Sequence, residues 1–294
     1  MYKIPVLLDT DIGSDIDDAL ALAYLLRQPA CELVGITTVA KQAEKRASLC
    51  DMLCRLAGRN DIPIHPGCDD AILENRINPV IEQAKALSGR PHRTEFEKNS
   101  AVSFLADTIM SRPGEITLLT IGPLSNAGLL FATYPEIPSM LKSLVIMGGH
   151  FSSRLPNIPT PEYNILGDVH AAAIVYKRSA SRSIGTDVTF ECMLSKSECN
   201  QLWTDDLMIA VSDMAGVWFN HASHIVFHDP LAAATIFDES LCEWANGCIE
   251  VDLSNGRAMG ATYFDAGKDL NHHTVACGVD ANRFFDHYKS IVCS

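Results

Sequence analysis

Short, almost continuously apolar runs alternate along this chain with segments whose apolar residues recur at helical spacing. Residues 4–8, 33–39, 62–64, 116–121 and 144–147 read as strands, being rich in branched residues and too short for buried helices. Residues 17–26, 43–57, 101–110, 169–176 and 281–288 carry the helical period. Strands without a polar face are buried on both faces, and the intervening helices are what covers them.

This pattern predicts an α/β fold, a single large domain over residues 1–294 with a mostly parallel, Rossmann-like central sheet covered by helices on both faces. Ligands of such sheets bind outside the carboxyl ends of the strands. The acidic segment after residue 8, the turn Gly122-Pro123 and the turn Gly148-Gly149 each follow a strand, so all three are expected along one edge. Residues 150–165 and 190–205 are the expected excursions from the core.

The bulk properties narrow the function. With 294 residues and 47% hydrophobic content there is material for one large core. No stretch approaches the roughly 18 apolar residues of a membrane span, and no leader pattern precedes the first strand, so a cytoplasmic protein is expected. Ten scattered cysteines form no C-x-x-C pair, which predicts reduced thiols. A net charge of -13 argues against nucleic acid as partner and favours binding of a cation.

The densest chemistry lies at Asp9-Thr10-Asp11-Ile12-Gly13-Ser14-Asp15-Ile16-Asp17-Asp18. Five carboxylates in ten residues cannot all ionise close together without counter-charge, and a hard divalent cation with oxygen ligands supplies it. A solvated acidic helix cap is the plain alternative. An EF-hand fits poorly, because Leu20 stands where the late Glu belongs. An Asp-x-Asp phosphohydrolase loop, with Asp9 as nucleophile and Asp11 as acid/base, is a further reading, but it leaves Asp17-Asp18 without a role.

Two other segments stand out. In His228-Asp229-Pro230 the carboxylate can reach a metal while the imidazole donates a proton near neutral pH; equally, Asp229 can cap a helix that begins at Pro230. In Pro161-Glu162-Tyr163-Asn164, preceded by Asn157, the polar groups suit sugar hydroxyls, a weak signal when taken alone.

Taken in order, these segments resemble the nucleoside hydrolases, the calcium-dependent family that cleaves the N-glycosidic bond of ribonucleosides. The resemblance runs from Val6-Leu7-Leu8-Asp9-Thr10-Asp11 and Asp17-Asp18-Ala19 through Gly35-Ile36-Thr37-Thr38-Val39-Ala40, Pro66-Gly67-Cys68 and Ile121-Gly122-Pro123-Leu124-Ser125-Asn126. It continues through Met147-Gly148-Gly149, Glu162-Tyr163-Asn164 and His228-Asp229-Pro230 to Asn282-Arg283-Phe284-Phe285-Asp286. It implies Ca2+ held by Asp11, Asp18, Asp229 and the carbonyl of Ile121, with Asp11 as general base. It implies ribose held by Asp17, Asn164 and Glu162 with Asn157 and Met147 near the sugar, and His228 protonating the departing base. A homodimer or homotetramer acting on nucleosides in salvage is the implied context.

The chain also departs from that family. Two extra residues separate Gly13 from Asp17-Asp18, and Asp15 is added, so Asp15 is an alternative ligand. Lys41-Gln42 stands where Gly-Asn is usual, and Asn157 sits one residue closer to Glu162 than expected. The tryptophan that stacks on purines in some relatives is missing, leaving Tyr263, Phe264 or Trp218 as substitutes. A catalytically weak nucleoside- or ribosyl-binding relative is therefore the alternative to a working hydrolase.

Overall fold

Strand β1, Ile4–Thr10, shows how the sheet divides the molecule. Val6 and Leu8 point into one apolar cluster and Leu7 into another, as the two-residue period of a strand requires. The structure, a computed structural model, describes residues 3–151, 161–267 and 272–293. The expected residue Asn157 lies outside them.

Strands β2 (Cys31–Thr38) and β3 (Ile64–Pro66) lie on one side of β1. Strands β4 (Thr117–Thr120), β5 (Ser143–Met147) and β6 (Arg182–Ile184) lie on the other. These six pair in parallel in the order β3-β2-β1-β4-β5-β6, the doubly wound arrangement whose chain reverses direction of travel between β1 and β4. The expected strand at 62–64 is displaced to Ile64–Pro66. Pro63 has no N–H to pair, and only its carbonyl joins the ladder, accepting from Ile36 N at 3.0 Å.

Helices cover both faces. Against the Val6–Leu8 side pack α1 (Asp17–Arg27) and α2 (Ala43–Leu56). On the Leu7 side lie α3 (Ala101–Ser111), α4 (Ser125–Thr133) and the short α5 (Ile137–Met140). Helix α6 (Tyr163–Gly167) leads into α7 (Val169–Arg178), which packs on α4.

The last part of the chain departs from the alternating pattern. One-turn helices α8 (Thr186–Thr189) and α9 (Lys196–Cys199) flank β7 (Met193–Ser195), which pairs antiparallel with β8 (His224–Val226). Helices α10 (Asp206–Trp218) and α11 (His228–Thr235) join the Val6–Leu8 face. Strands β9 (Cys242–Val251), β10 (Thr262–Ala266) and β11 (His273–Val279) then add an antiparallel edge beside β6, and α12 (Ala281–Val292) closes the chain. The reading of α11 as a helix capped by Asp229 is corrected. The helix begins at His228 with Phe227 at its N-cap, so Asp229 lies inside the first turn and makes no cap.

The ten cysteines are free thiols, and among the described residues no helix is long and apolar enough to cross a membrane.

Candidate active site at the carboxyl edge of the sheet

Register brings the strand ends level. Asp9 of β1 pairs with Thr120 of β4, and Thr120 with Ile146 of β5, so Asp11, Ile121 and Met147 emerge together at the switch in strand order. The approach is close: a Cβ on Gly122 would sit 2.8 Å from Asp11 Oδ1, so only glycine lets the two loops meet there. Gly13, at φ +116, turns the chain from β1 back towards α1 in a conformation L side chains rarely adopt. These loops floor a cavity of about 610 Å³ that also takes in Glu162, Asn164, His228 and Asp229.

The carboxylates of Asp17, Asp18 and Asp229 converge, one oxygen of each within 4.8 Å of the others. Asp17 and Asp18 open α1, and the Asp229 N–H donates to Asp17 Oδ2 at 3.2 Å, drawing α11 onto α1. Thr10 Oγ1 donates to Asp18 Oδ1. Asp11 lines the same cavity but is not one of the three converging groups; the structure gathers Asp17 with Asp18 and Asp229. Burial first, and neighbouring carboxylates second, push Asp17, Asp18 and Asp229 well above the usual carboxylate range. Burial likewise raises Asp11, and Asp15 to about 6.

A buried group of hard oxygen donors that repel one another is short of positive charge, and a divalent cation fits it. Ile121, whose carbonyl was an expected ligand, lines the same cavity. Asn164 Nδ2 donates to that carbonyl at 3.0 Å and to Met147 O at 3.2 Å, which ties the second and third loops together. Glu162 caps α6: its Oε1 accepts from Asn164 N at 2.9 Å, and its Oε2 from Gly149 N and Ile165 N at 3.0 and 3.1 Å. Three backbone donors hold that carboxylate rigid beside the cavity while burial still raises it.

Asp9 stands behind the cavity wall. Its Oδ1 accepts from Thr37 Oγ1 and Asn126 Nδ2, at 2.5 and 2.7 Å, and it does not line the cavity. Burial raises it to about 7. A nucleophile needs an accessible oxygen, so the phosphohydrolase reading loses its central residue. His228 lines the cavity, but burial lowers it to about 4. The expected proton donor near neutral pH is thus a neutral ring, its Nδ1 2.5 Å from Thr189 Oγ1.

Of the aromatic substitutes only Trp218 lines the cavity, joined by Phe190 and Tyr163. Tyr263 and Phe264 lie elsewhere on β10. Gln42 is exposed, with a left-handed backbone at φ 60, and takes no part in the lining. Sequence reasoning overlooked Arg46, which is fully buried beneath the acidic loop. Its signal was readable: Ala43, Arg46, Cys50 and Leu53 fall on the buried stripe of α2, where a charged residue has no business without a partner.

Comparison with known proteins agrees over the whole length. The sequence profile described as "Inosine-uridine preferring nucleoside hydrolase" matches residues 6–286. Uridine nucleosidase 1 of Arabidopsis thaliana is 30% identical over 283 residues, 89% of this chain and 82% of that protein. The non-specific ribonucleoside hydrolase RihC of Salmonella newport is 30% identical over 298 residues, covering 96% and 95% of the two chains. A solved purine-preferring ribonucleoside hydrolase from Gardnerella vaginalis superposes with a TM-score of 0.84 at 25% identity, covering 98% of each chain.

Proposed function

Because this chain belongs to the inosine-uridine preferring nucleoside hydrolase family, we propose that it hydrolyses the N-glycosidic bond of ribonucleosides to ribose and free base, with Ca2+ as its metal. The observation that carries this reading is the convergence of Asp17, Asp18 and Asp229 beside Ile121, in one cavity with Glu162 and Asn164. The volume of that cavity, about 610 Å³, lies in the range of small-ligand sites.

Asp11, Asp18, Asp229 and the Ile121 carbonyl would hold the cation, with Asp17 close enough to share it. When bound, the cation lends Lewis acidity and orientation to the attacking water and the sugar diol. Asp11 takes the proton of that water, its carboxyl already tuned upward by burial. Asp17, Glu162 and Asn164 hold the ribose hydroxyls, and Met147 packs against the sugar. Positive charge grows on the ribose as the bond breaks, and the fixed carboxylates around it stabilise that charge. Tyr163, Phe190 and Trp218 wall the base. His228 meets it as a neutral ring through Nε2, because its Nδ1 is engaged by Thr189.

The whole chain acts as one domain, in cytoplasmic salvage and as a homodimer or homotetramer. Support for these finer points comes from the family resemblance.

The test is a product assay over inosine, uridine, guanosine and cytidine, with chelator and with added calcium. Free base and ribose should appear only with the metal, with no phosphate released. Asp11→Ala should lose on the order of 10³-fold or more in turnover while remaining folded. Near-normal hydrolysis by that variant overturns the assignment of the base, and nucleoside binding without turnover in the wild type marks a binding relative instead.

A further inference from the structure

Arg46 presents an electrostatic problem that the reaction alone does not explain. Its side chain is fully buried, and a guanidinium taken out of water is costly unless its donors and its charge are both compensated. The donors are satisfied. Nε donates to Lys41 O at 3.0 Å, and Nη1 to Asp11 O and to Ile12 O, the latter at 3.0 Å. Both terminal nitrogens reach Ser14 Oγ at 3.2 Å. Every one of these acceptors is a carbonyl or hydroxyl oxygen, so no direct carboxylate partner appears among them.

The charge is compensated at longer range. The acceptors Asp11, Ile12 and Ser14 belong to the turn that carries the acidic cluster, so the cation sits beneath the carboxylates. Its field offsets part of the burial that raises Asp11 and Asp18. Lysine could supply the charge but not the planar fork that grips the Asp11, Ile12 and Lys41 carbonyls and the Ser14 hydroxyl together.

We propose that Arg46 is a built-in counter-charge and positioning residue, holding the turn from Asp11 to Ser14 in its binding-ready shape when no metal is present. It deepens the functional reading above, resting on the acidic cluster being a cation site. Without Arg46 the carboxylates repel one another and only a bound cation restores the turn; with it, the site stays assembled between metal-binding events. A buried strut with no electrostatic role would instead matter equally in the presence and absence of metal.

The experiment compares thermal midpoints of wild type, R46Q, R46K and R46Q/D15N, each in chelator and in saturating calcium chloride, with calorimetric titration of calcium into each. In chelator R46Q should melt on the order of 10 °C below wild type, and calcium should remove most of that difference. D15N removes one negative charge from the same loop and should restore the R46Q midpoint in chelator by at least half. R46K should fall between wild type and R46Q. An R46Q deficit that is the same with and without calcium, and untouched by D15N, overturns the proposal.

Should R46Q be recovered only as unfolded chain, R46Q/D15N decides: recovered folded it supports the counter-charge, and unfolded it overturns it. If calcium changes neither the wild-type midpoint nor the titration trace, the cation reading fails by itself, and the D15N rescue still decides the role of Arg46.

Discussion

The Nδ1 atom of His228 lies 2.5 Å from the hydroxyl oxygen of Thr189, and that contact decides which imidazole nitrogen is left for the cavity. In a neutral ring one nitrogen accepts and the other donates. The Thr189 hydroxyl either donates to Nδ1, which leaves the hydrogen on Nε2, or accepts from Nδ1–H, which leaves Nε2 as an acceptor. Thr189 closes α8, the single turn that follows β6, so the ring is oriented by the central sheet and not by its own helix.

Thr189→Val should therefore reduce kcat by roughly tenfold with a small change in KM, since one positioning hydrogen bond is lost and the substrate contacts remain. Steady-state kinetics on inosine and uridine measure it. A change in KM alone would mean that the threonine serves binding and not the departure of the base.

Asp18→Asn keeps the volume of a converging ligand and removes its charge. Calcium affinity should fall by at least tenfold, because hard cations depend on the ligand charge count. Wild-type protein should gain about 2.7 kcal/mol of stability at a hundredfold excess of calcium over its Kd, and the variant much less at the same concentration. Calorimetry and melting curves in chelator and calcium report both quantities.

Trp218 stands at the end of α10 with its indole N–H donated to His224 O at 2.9 Å, so its ring plane is set before substrate arrives. Trp218→Ala should raise KM about tenfold, as expected for losing one stacking partner of a base, and leave kcat nearly unchanged. Equal KM values in variant and wild type would remove Trp218 from base recognition.

The buried His273 supplies a pH dependence away from the active site. Its Nδ1 lies 2.9 Å from Ser181 Oγ and its Nε2 3.0 Å from Tyr176 O, and burial lowers it to about 4. The unfolded chain binds this proton near the ordinary value of 6.5, whereas the folded protein does so only near 4. The neutral ring's contribution is thus fully present above pH 6.5 and is lost as pH falls towards 4. Melting temperatures taken from pH 7 to 4.5 should fall in the wild type and fall less steeply in His273→Asn; parallel slopes would exclude His273 as a source.

Local pattern was enough to read β1, β2, β4 and β5, because fully buried strands and amphipathic helices write their periods directly into residues 4–56 and 101–147; the three-residue β6 is too short to carry such a signal and was missed. It was also enough to put the acidic segment and the turns Gly122-Pro123 and Gly148-Gly149 on one edge, since each follows a strand. The antiparallel edge of β9, β10 and β11 was not legible. Its strands are mixed in polarity, so neither a continuous apolar run nor a clean alternation marks them.

What the sequence determined by itself was the inventory: five aspartates at a strand-to-helix turn, and the histidine, glutamate and asparagine that accompany them in order. Tertiary structure decided how those groups differ. Desolvation and register turned five similar carboxylates into a locked Asp9 behind the wall, an Asp11 at the loop crossing, an Asp15 raised to about 6 by burial, and the pair Asp17-Asp18, which converges with Asp229. The same burial made His228 neutral and brought Arg46 beneath the loop, because the free energy of a charge depends on which groups and how much water surround it, and only the folded chain specifies both.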